Sequence, residues 1–259
     1  MPTFPLTPAT LALLGAAGLF AGFVDSIAGG GGIITLPALL AAGLPPHLAL
    51  GTNKLQSSFG SLTAMLHYRH GGLVSVRRTV LGIVWTFIGA AAGTLAIQRM
   101  SPGLLRHVIP ALLLAIFVYM LVSPRVGVEA RHARLRPAVF YLLFGLAIGF
   151  YDGFFGPGTG SFWAIAFVAL LGLDLAAATA HTKVMNFVSN ATALLFFALG
   201  GNVVLVPGLV MGAGEVVGAF AGSRLVMLRG ARFVRVFFLV VVALTLARLV
   251  QTTYLGPGP

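Results

Sequence analysis

The sequence predicts an all-α integral membrane protein, with about ten transmembrane segments in two inverted five-segment repeats and glycine-broken short helices near the midplane. Three observations carry that expectation. Of the 259 residues, 58% are hydrophobic and only 8% are charged. Soluble domains carry about 25% charged residues, so the solvent for most of this surface must be lipid. Apolar segments recur in the same order in the two halves of the chain. Arginines gather in loops that an odd number of crossings per half would put on one side of a membrane.

The first half has apolar segments at 8–28, 33–44, 47–68, 74–98 and 103–122. The second has them at 137–155, 160–171, 174–199, 203–227 and 231–254. Most fit a helix of about 20 residues crossing a hydrocarbon core of roughly 30 Å. The opening segment lacks the basic flank of a cleaved signal and has a counterpart in mid-chain, so it reads as part of the fold. Residues 1–122 form the N-terminal repeat, 123–136 a basic cytoplasmic linker and 137–259 the C-terminal repeat.

The segments 33–44 and 160–171 are the exceptions. At 1.5 Å per residue, about 12 residues reach only about 18 Å. Each follows a glycine-rich break, "GFVDSIAGGGG" at Gly22 to Gly32 and "GFYDGFFGPGTG" at Gly149 to Gly160. Non-helical backbone at membrane depth is tolerated only inside protein or beside a wet cavity. Paired broken segments in two transporter halves point to a substrate site near the midplane.

The duplication extends to single residues. Asp25 matches Asp152; after a two-residue indel, Lys54 matches Lys183, Ser57 matches Asn186, and Gly89 and Gly93 match Gly218 and Gly222. Five crossings per half put Arg69, Arg77, Arg78, the four linker arginines, Arg224, Arg229, Arg232 and Arg235 on one side. Leaving aside Arg248, Lys54 and Lys183 within segments, only Arg99 and Arg106 then remain opposite. The positive-inside rule makes the crowded side cytoplasmic and both termini external, as for a multi-pass protein of the inner membrane.

Lys54 and Lys183 lie within apolar segments and begin polar stripes, Lys54–Ser57–Ser61 and Lys183–Asn186–Asn190, on one helix face each. Thr52, Asn53, His181 and Thr182 supply neighbouring donors. Together with Gly30, Gly31, Gly158 and Thr159 at the breaks, they fit an anion held by two cations and by freed helix N-termini. The other readings are that the lysines snorkel to an interface or that the stripes join helices. Asp25 and Asp152 are intramembrane acids beside the breaks, and Glu215 is an acid in only one half; all three are candidates for proton coupling. Capping of freed backbone, or pairing with a lysine, is the structural alternative for the aspartates.

The net charge of +11 lies mostly in short loops, where it sets orientation rather than binding nucleic acid. There is no cysteine, and the histidines show no metal-ligand spacing, so no metal and no cofactor are expected. No ATP-binding, hydrolase or zinc-protease motif occurs, so the chain is not read as an enzyme. The GxGD pattern of intramembrane aspartyl proteases is also missing. Gly89, Gly93, Gly214, Gly218 and Gly222 form small-xxx-small patterns expected to mark close helix packing.

The stretches Gly22 to Val74 and Gly149 to Val204 resemble the two repeats of the TauE/SafE sulfite exporter family, also called the toluene sulfonate uptake permease family. The resemblance implies a secondary transporter of sulfite or small organosulfonate anions such as sulfoacetate, exporting them with the proton gradient. A passive anion channel is the alternative reading. The residues that carry the resemblance are Asp25 with Gly29 to Gly32, Thr52 to Ser57, Asp152 with Gly156 to Gly160, and His181 to Asn186. The partners implied are a small sulfur-containing anion, protons and the lipid bilayer.

Overall fold

A computed structural model describes residues 6–122 and 132–229. The proposed tenth segment at 231–254, the C-terminus and most of the linker lie outside the described residues. Those described form nine α-helices and one 3-10 turn, with no strand among them.

Turn chemistry sets the helix limits. The helix α1 (Pro8–Ala28) starts on Thr7, whose side chain accepts from the Thr10 amide, with Pro8 preset for the first turn. It stops at Gly29, whose φ of 68° suits glycine. A ten-residue helix, α2 (Gly32–Ala41), follows. It is about 15 Å long at 1.5 Å per residue, and Gly43 at φ 88° turns the chain into α3 (Pro46–His70). After the 3-10 turn at Val76–Thr79 come α4 (Val80–Gln98) and α5 (Pro102–Val122).

The second half repeats this order: α6 (Pro137–Phe154), α7 (Thr159–Leu171), α8 (Leu175–Leu199) and α9 (Leu205–Arg229). Two left-handed glycines, Gly156 and Gly158, break the chain between α6 and α7. Asp174 caps α8 by accepting from the Ala177 amide.

Among the described residues, five helices are long and apolar enough to cross a membrane: α1, the 3-10 turn continuing into α4, α6, α8 and α9. The 25-residue α3 has the length but not the composition. Its polar residues Thr52, Asn53, Lys54 and Gln56 are buried in protein, where lipid does not meet them.

The two halves interleave. Helix α1 packs along α9, and the equivalent pair α6 and α4 packs the same way. Both seams are lined with glycine. A methyl group on Gly214, Gly218 or Gly222 would collide with backbone or side-chain atoms of α1; one on Gly18 or Gly22 would collide with Met211 or Glu215. In the other seam Gly89 and Gly93 meet the backbone of α6, while Gly149 and Gly153 meet Thr86 and Ala90. Close backbone approach through small residues is the usual basis of helix association in lipid, and the spacing of the α4 and α9 glycines anticipates it.

The contacts also fix relative directions. Gly18 lies against Met211 and Gly22 against Glu215, so α1 and α9 run parallel. Gly60 meets Glu215, and His67 bonds to Ser223, so α3 is parallel to α9. On the other side, Gly82 meets Tyr141 and Gly93 meets Phe150 and Phe154, while Thr86 touches Met185 and Gln98 bonds to Phe196. Hence α4, α6 and α8 share one direction. Gly51 approaches Phe197 and Lys54 bonds to Asn190, so α3 and α8 are antiparallel. Helix α1 therefore runs opposite to α6.

Candidate functional site

The two glycine breaks meet each other. Gly29 faces Gly160 so closely that a methyl on either would strike the other's Cα, and the Ser161 hydroxyl donates to the Gly29 carbonyl at 3.1 Å. Around this contact lies one small cavity. Asp25, Gly30 and Gly32 line it from the first break, and Asp152, Gly156, Gly158, Thr159 and Gly160 from the second. Helix α3 adds Asn53, Lys54 and Ser57, and α8 adds Asn186 and Asn190. The free space is that of about one water molecule. The first turns of α2 and α7 both reach it, and a helix N-terminus favours negative charge.

Each lysine pairs with the aspartate of the other half of the chain. Lys54 Nζ donates to Asp152 Oδ1 at 2.6 Å, to the Asp152 carbonyl at 2.5 Å and to Asn190 Oδ1 at 3.2 Å. Lys183 Nζ donates to Asp25 Oδ2 at 2.9 Å. The remaining oxygens are held as well. Asp25 Oδ1 accepts from the amides of Gly30 at 3.0 Å and Gly31 at 3.3 Å, and Asp152 Oδ2 accepts from the Ser189 hydroxyl. Both lysines are buried, at 1% and 0% side-chain exposure, and Asp25 is the most open member at 20%. Buried charges persist in protein when paired and hydrogen-bonded, and these four satisfy that condition.

The structure sorts the residues singled out from the sequence. Asn53, Lys54, Ser57, Asn186, Gly30, Gly158 and Thr159 come together at the cavity, with Asp25 and Asp152. Asn53 is fixed by two donors, Thr35 Oγ1 at 2.5 Å and Gln56 Nε2 at 2.9 Å. Gly31 and Lys183 stand behind Asp25 rather than on the cavity wall. Thr52 accepts from the Val204 amide, Thr182 donates to the Ala178 carbonyl, and His181 bonds to the Ala177 carbonyl while packing on Phe167. None of these three lines the cavity; local backbone or a neighbouring ring engages them instead.

Glu215 lies elsewhere. It is buried in the notch that Gly60 leaves on α3, and its Oε1 has no hydrogen-bond partner. It faces the Asp25–Lys183 pair through the interior without lining the cavity.

Asn190, Ser189, Gly156 and Gly160 belong to the site but were not among the predicted site residues. Asn190 had been visible in the Lys183–Asn186–Asn190 stripe, and the two glycines flank a predicted loop; Ser189 carried no separate signal. Among the described residues no group of three or more acidic, histidine or cysteine side chains is placed to hold a metal ion.

Comparison with known proteins bears on this arrangement. Residues 14–249 match a family model described as "Sulfite exporter TauE/SafE". The chain is similar to "Probable membrane transporter protein YfcA" of Escherichia coli K12, 44% identical over 97% of this chain and 93% of that one. A "Probable membrane transporter protein" of Haemophilus influenzae is 45% identical, covering 93% and 94% of the two chains. "Probable membrane transporter protein YdhB" of Bacillus subtilis is 27% identical over 61% and 65%. No solved structure gives a significant match.

Proposed function

The chain belongs to the sulfite exporter TauE/SafE family of membrane transporters, and on that premise we propose a function for its buried charges. It is a transporter rather than an enzyme. It moves sulfite or small organosulfonate anions, such as sulfoacetate, across the inner membrane as a secondary transporter with protons as the coupling ion. The family description gives export as the direction.

One observation supports this reading above the others. A lysine, three amides and the first turns of two helices converge on one cavity where the two glycine breaks meet. Lys54 supplies the positive charge for an anion, Asn53, Asn186, Asn190 and Ser57 offer hydrogen bonds, and the N-termini of α2 and α7 add their partial positive charge. The repeats are inverted, a reading supported by the opposed directions of α1 and α6. A cavity with room for about one water molecule favours a carrier over a passive channel, which needs a continuous wet path.

Purified protein in liposomes tests the proposal through uptake of labelled sulfite and sulfoacetate. Wild type carries at least one of them faster than empty liposomes, and Lys54→Met abolishes that flux. Failure to carry either anion, or full activity of a folded Lys54→Met variant, rejects it.

A further inference from the structure

Two lysines and two aspartates meet at this site, and their formal charges cancel. An anion entering such a site adds uncompensated charge to a low-dielectric interior, where that is costly. Lys54 is the one of the two ammonium groups that lines the cavity. Its three protons are all in use, on Asp152 Oδ1, the Asp152 carbonyl and Asn190 Oδ1. The cavity has room for about one water molecule. An anion that reaches Lys54 must displace one of these acceptors, and where it takes the place of the Asp152 carboxylate the site stays neutral only if that carboxylate gains a proton.

We infer that the protein is a proton–anion symporter in which Asp152 is protonated as the anion replaces it on Lys54, so that one proton crosses with each substrate in the same direction. The inference rests on the anion-transport reading above and adds its coupling sense. The proton comes from water on the side from which the anion enters and is carried as the Asp152 O–H. It returns to water on the other side, when the anion leaves and the carboxylate rebinds Lys54.

The surroundings suit Asp152 to this exchange. Lys54 on α3 is the cation facing it, Ser189 and Asn190 face it from α8, and Tyr151 is its titratable neighbour on α6. The Ser189 hydroxyl now donates to Asp152, but the carbonyls of Met185 and Asn186 lie 3.1 Å from it as alternative acceptors. A hydroxyl that turns to them can accept from the neutral acid. Asp25 is held differently. Lys183 and two backbone amides engage it, Tyr68 on α3 and Glu215 on α9 are the other titratable groups facing it, and Lys183 is off the cavity wall. An inward proton gradient then drives uptake, and export requires an outward anion gradient that exceeds it.

The test uses wild-type protein in liposomes enclosing a pH-sensitive dye, with an inward gradient of labelled methanesulfonate, isethionate or sulfoacetate. All three are ionised near neutral pH, so they carry no proton of their own. Expected is acidification of the lumen in step with anion entry, one proton for each methanesulfonate, and loss of that acidification in Asp152→Asn. Alkalinisation, or anion entry with no pH change, overturns symport while leaving the substrate class standing. No entry of any of the three, nor of sulfite, overturns the transport reading itself. The sign of the wild-type signal decides the matter even if Asp152→Asn does not fold.

Discussion

Lys54 and Lys183 occupy matching positions in the two halves of the chain, yet their surroundings separate them. Lys54 lines the cavity and Lys183 does not. Replacing Lys54 by Met removes a charged hydrogen bond to the anion, roughly 1.5–3 kcal/mol, or about one to two decades of affinity. Lys183→Met leaves Asp25 buried without its cation, which costs about 3–5 kcal/mol of stability when one partner of a buried pair is lost. Calorimetry with sulfoacetate and thermal unfolding in detergent should separate the two. Both variants lose stability, because each leaves a buried aspartate without its cation. Only Lys54→Met also loses affinity, whereas Lys183→Met keeps it and regains much of its stability in Lys183→Met/Asp25→Asn. Equal loss of affinity in both variants would restore the symmetric site that the sequence alone suggests. Local spacing shows that each lysine heads a polar stripe. It cannot show that Lys54 meets an acid 98 positions away and Lys183 one 158 away; only the crossing of the halves brings them together.

At the scale of elements, glycine and proline made the helix limits readable. The expected segments at 33–44 and 160–171 correspond to α2 and α7, because Gly29, Gly43, Gly156, Gly158 and Gly172 all adopt positive φ that other residues avoid. The complementary stripes Gly15–Gly18–Gly22 and Gly145–Gly149–Gly153 were harder to see, since they lie within helices whose apolar pattern already explains them. Their role appears only with the partner helix in place. Gly153 and Gly103 are a matched contrast. A methyl on Gly153 would overlap the Ala90 backbone, whereas among the described residues nothing beyond its chain neighbours and the backbone of its own helix lies within 4 Å of one on Gly103 in the first turn of α5. Overpacking of a tight contact costs about 1–3 kcal/mol, while relieving a helical glycine contributes about 0.5–1 kcal/mol. Gly153→Ala should therefore lower the unfolding temperature, and Gly103→Ala should hold or raise it. A fall of equal size in both would mean that the α4–α6 seam tolerates extra volume.

The whole molecule raises the question of how many times each half crosses the membrane. If α2 and α7 were re-entrant loops that return to the side they left, α3 would run opposite to α9 and parallel to α8. The contacts give the reverse: Gly60 lies against Glu215 and His67 against Ser223, while Gly51 lies against Phe197 and Lys54 against Asn190. Five crossings in the first half, with α2 and the break before it together making the second, are consistent with these directions among the described residues. The arginines then divide by position along the helices. Arg69, Arg77, Arg78, Arg134, Arg136 and Arg224 fall at the end shared by the last turn of α3, the starts of α4 and α6 and the last turns of α9. Arg99 and Arg106 fall at the other end, with the start of α5. Since cytoplasmic loops collect Arg and Lys, the orientation to test has the crowded end in the cytoplasm and the start of α1 outside. The chain has no native cysteine, so single introduced thiols report position directly. His132 and Ser101 are both exposed and lie at opposite ends. A membrane-impermeant maleimide added to intact cells should label Ser101→Cys at once and His132→Cys only after permeabilisation. Labelling of both from outside would break the five-crossing arrangement, and labelling of His132→Cys alone would reverse the orientation.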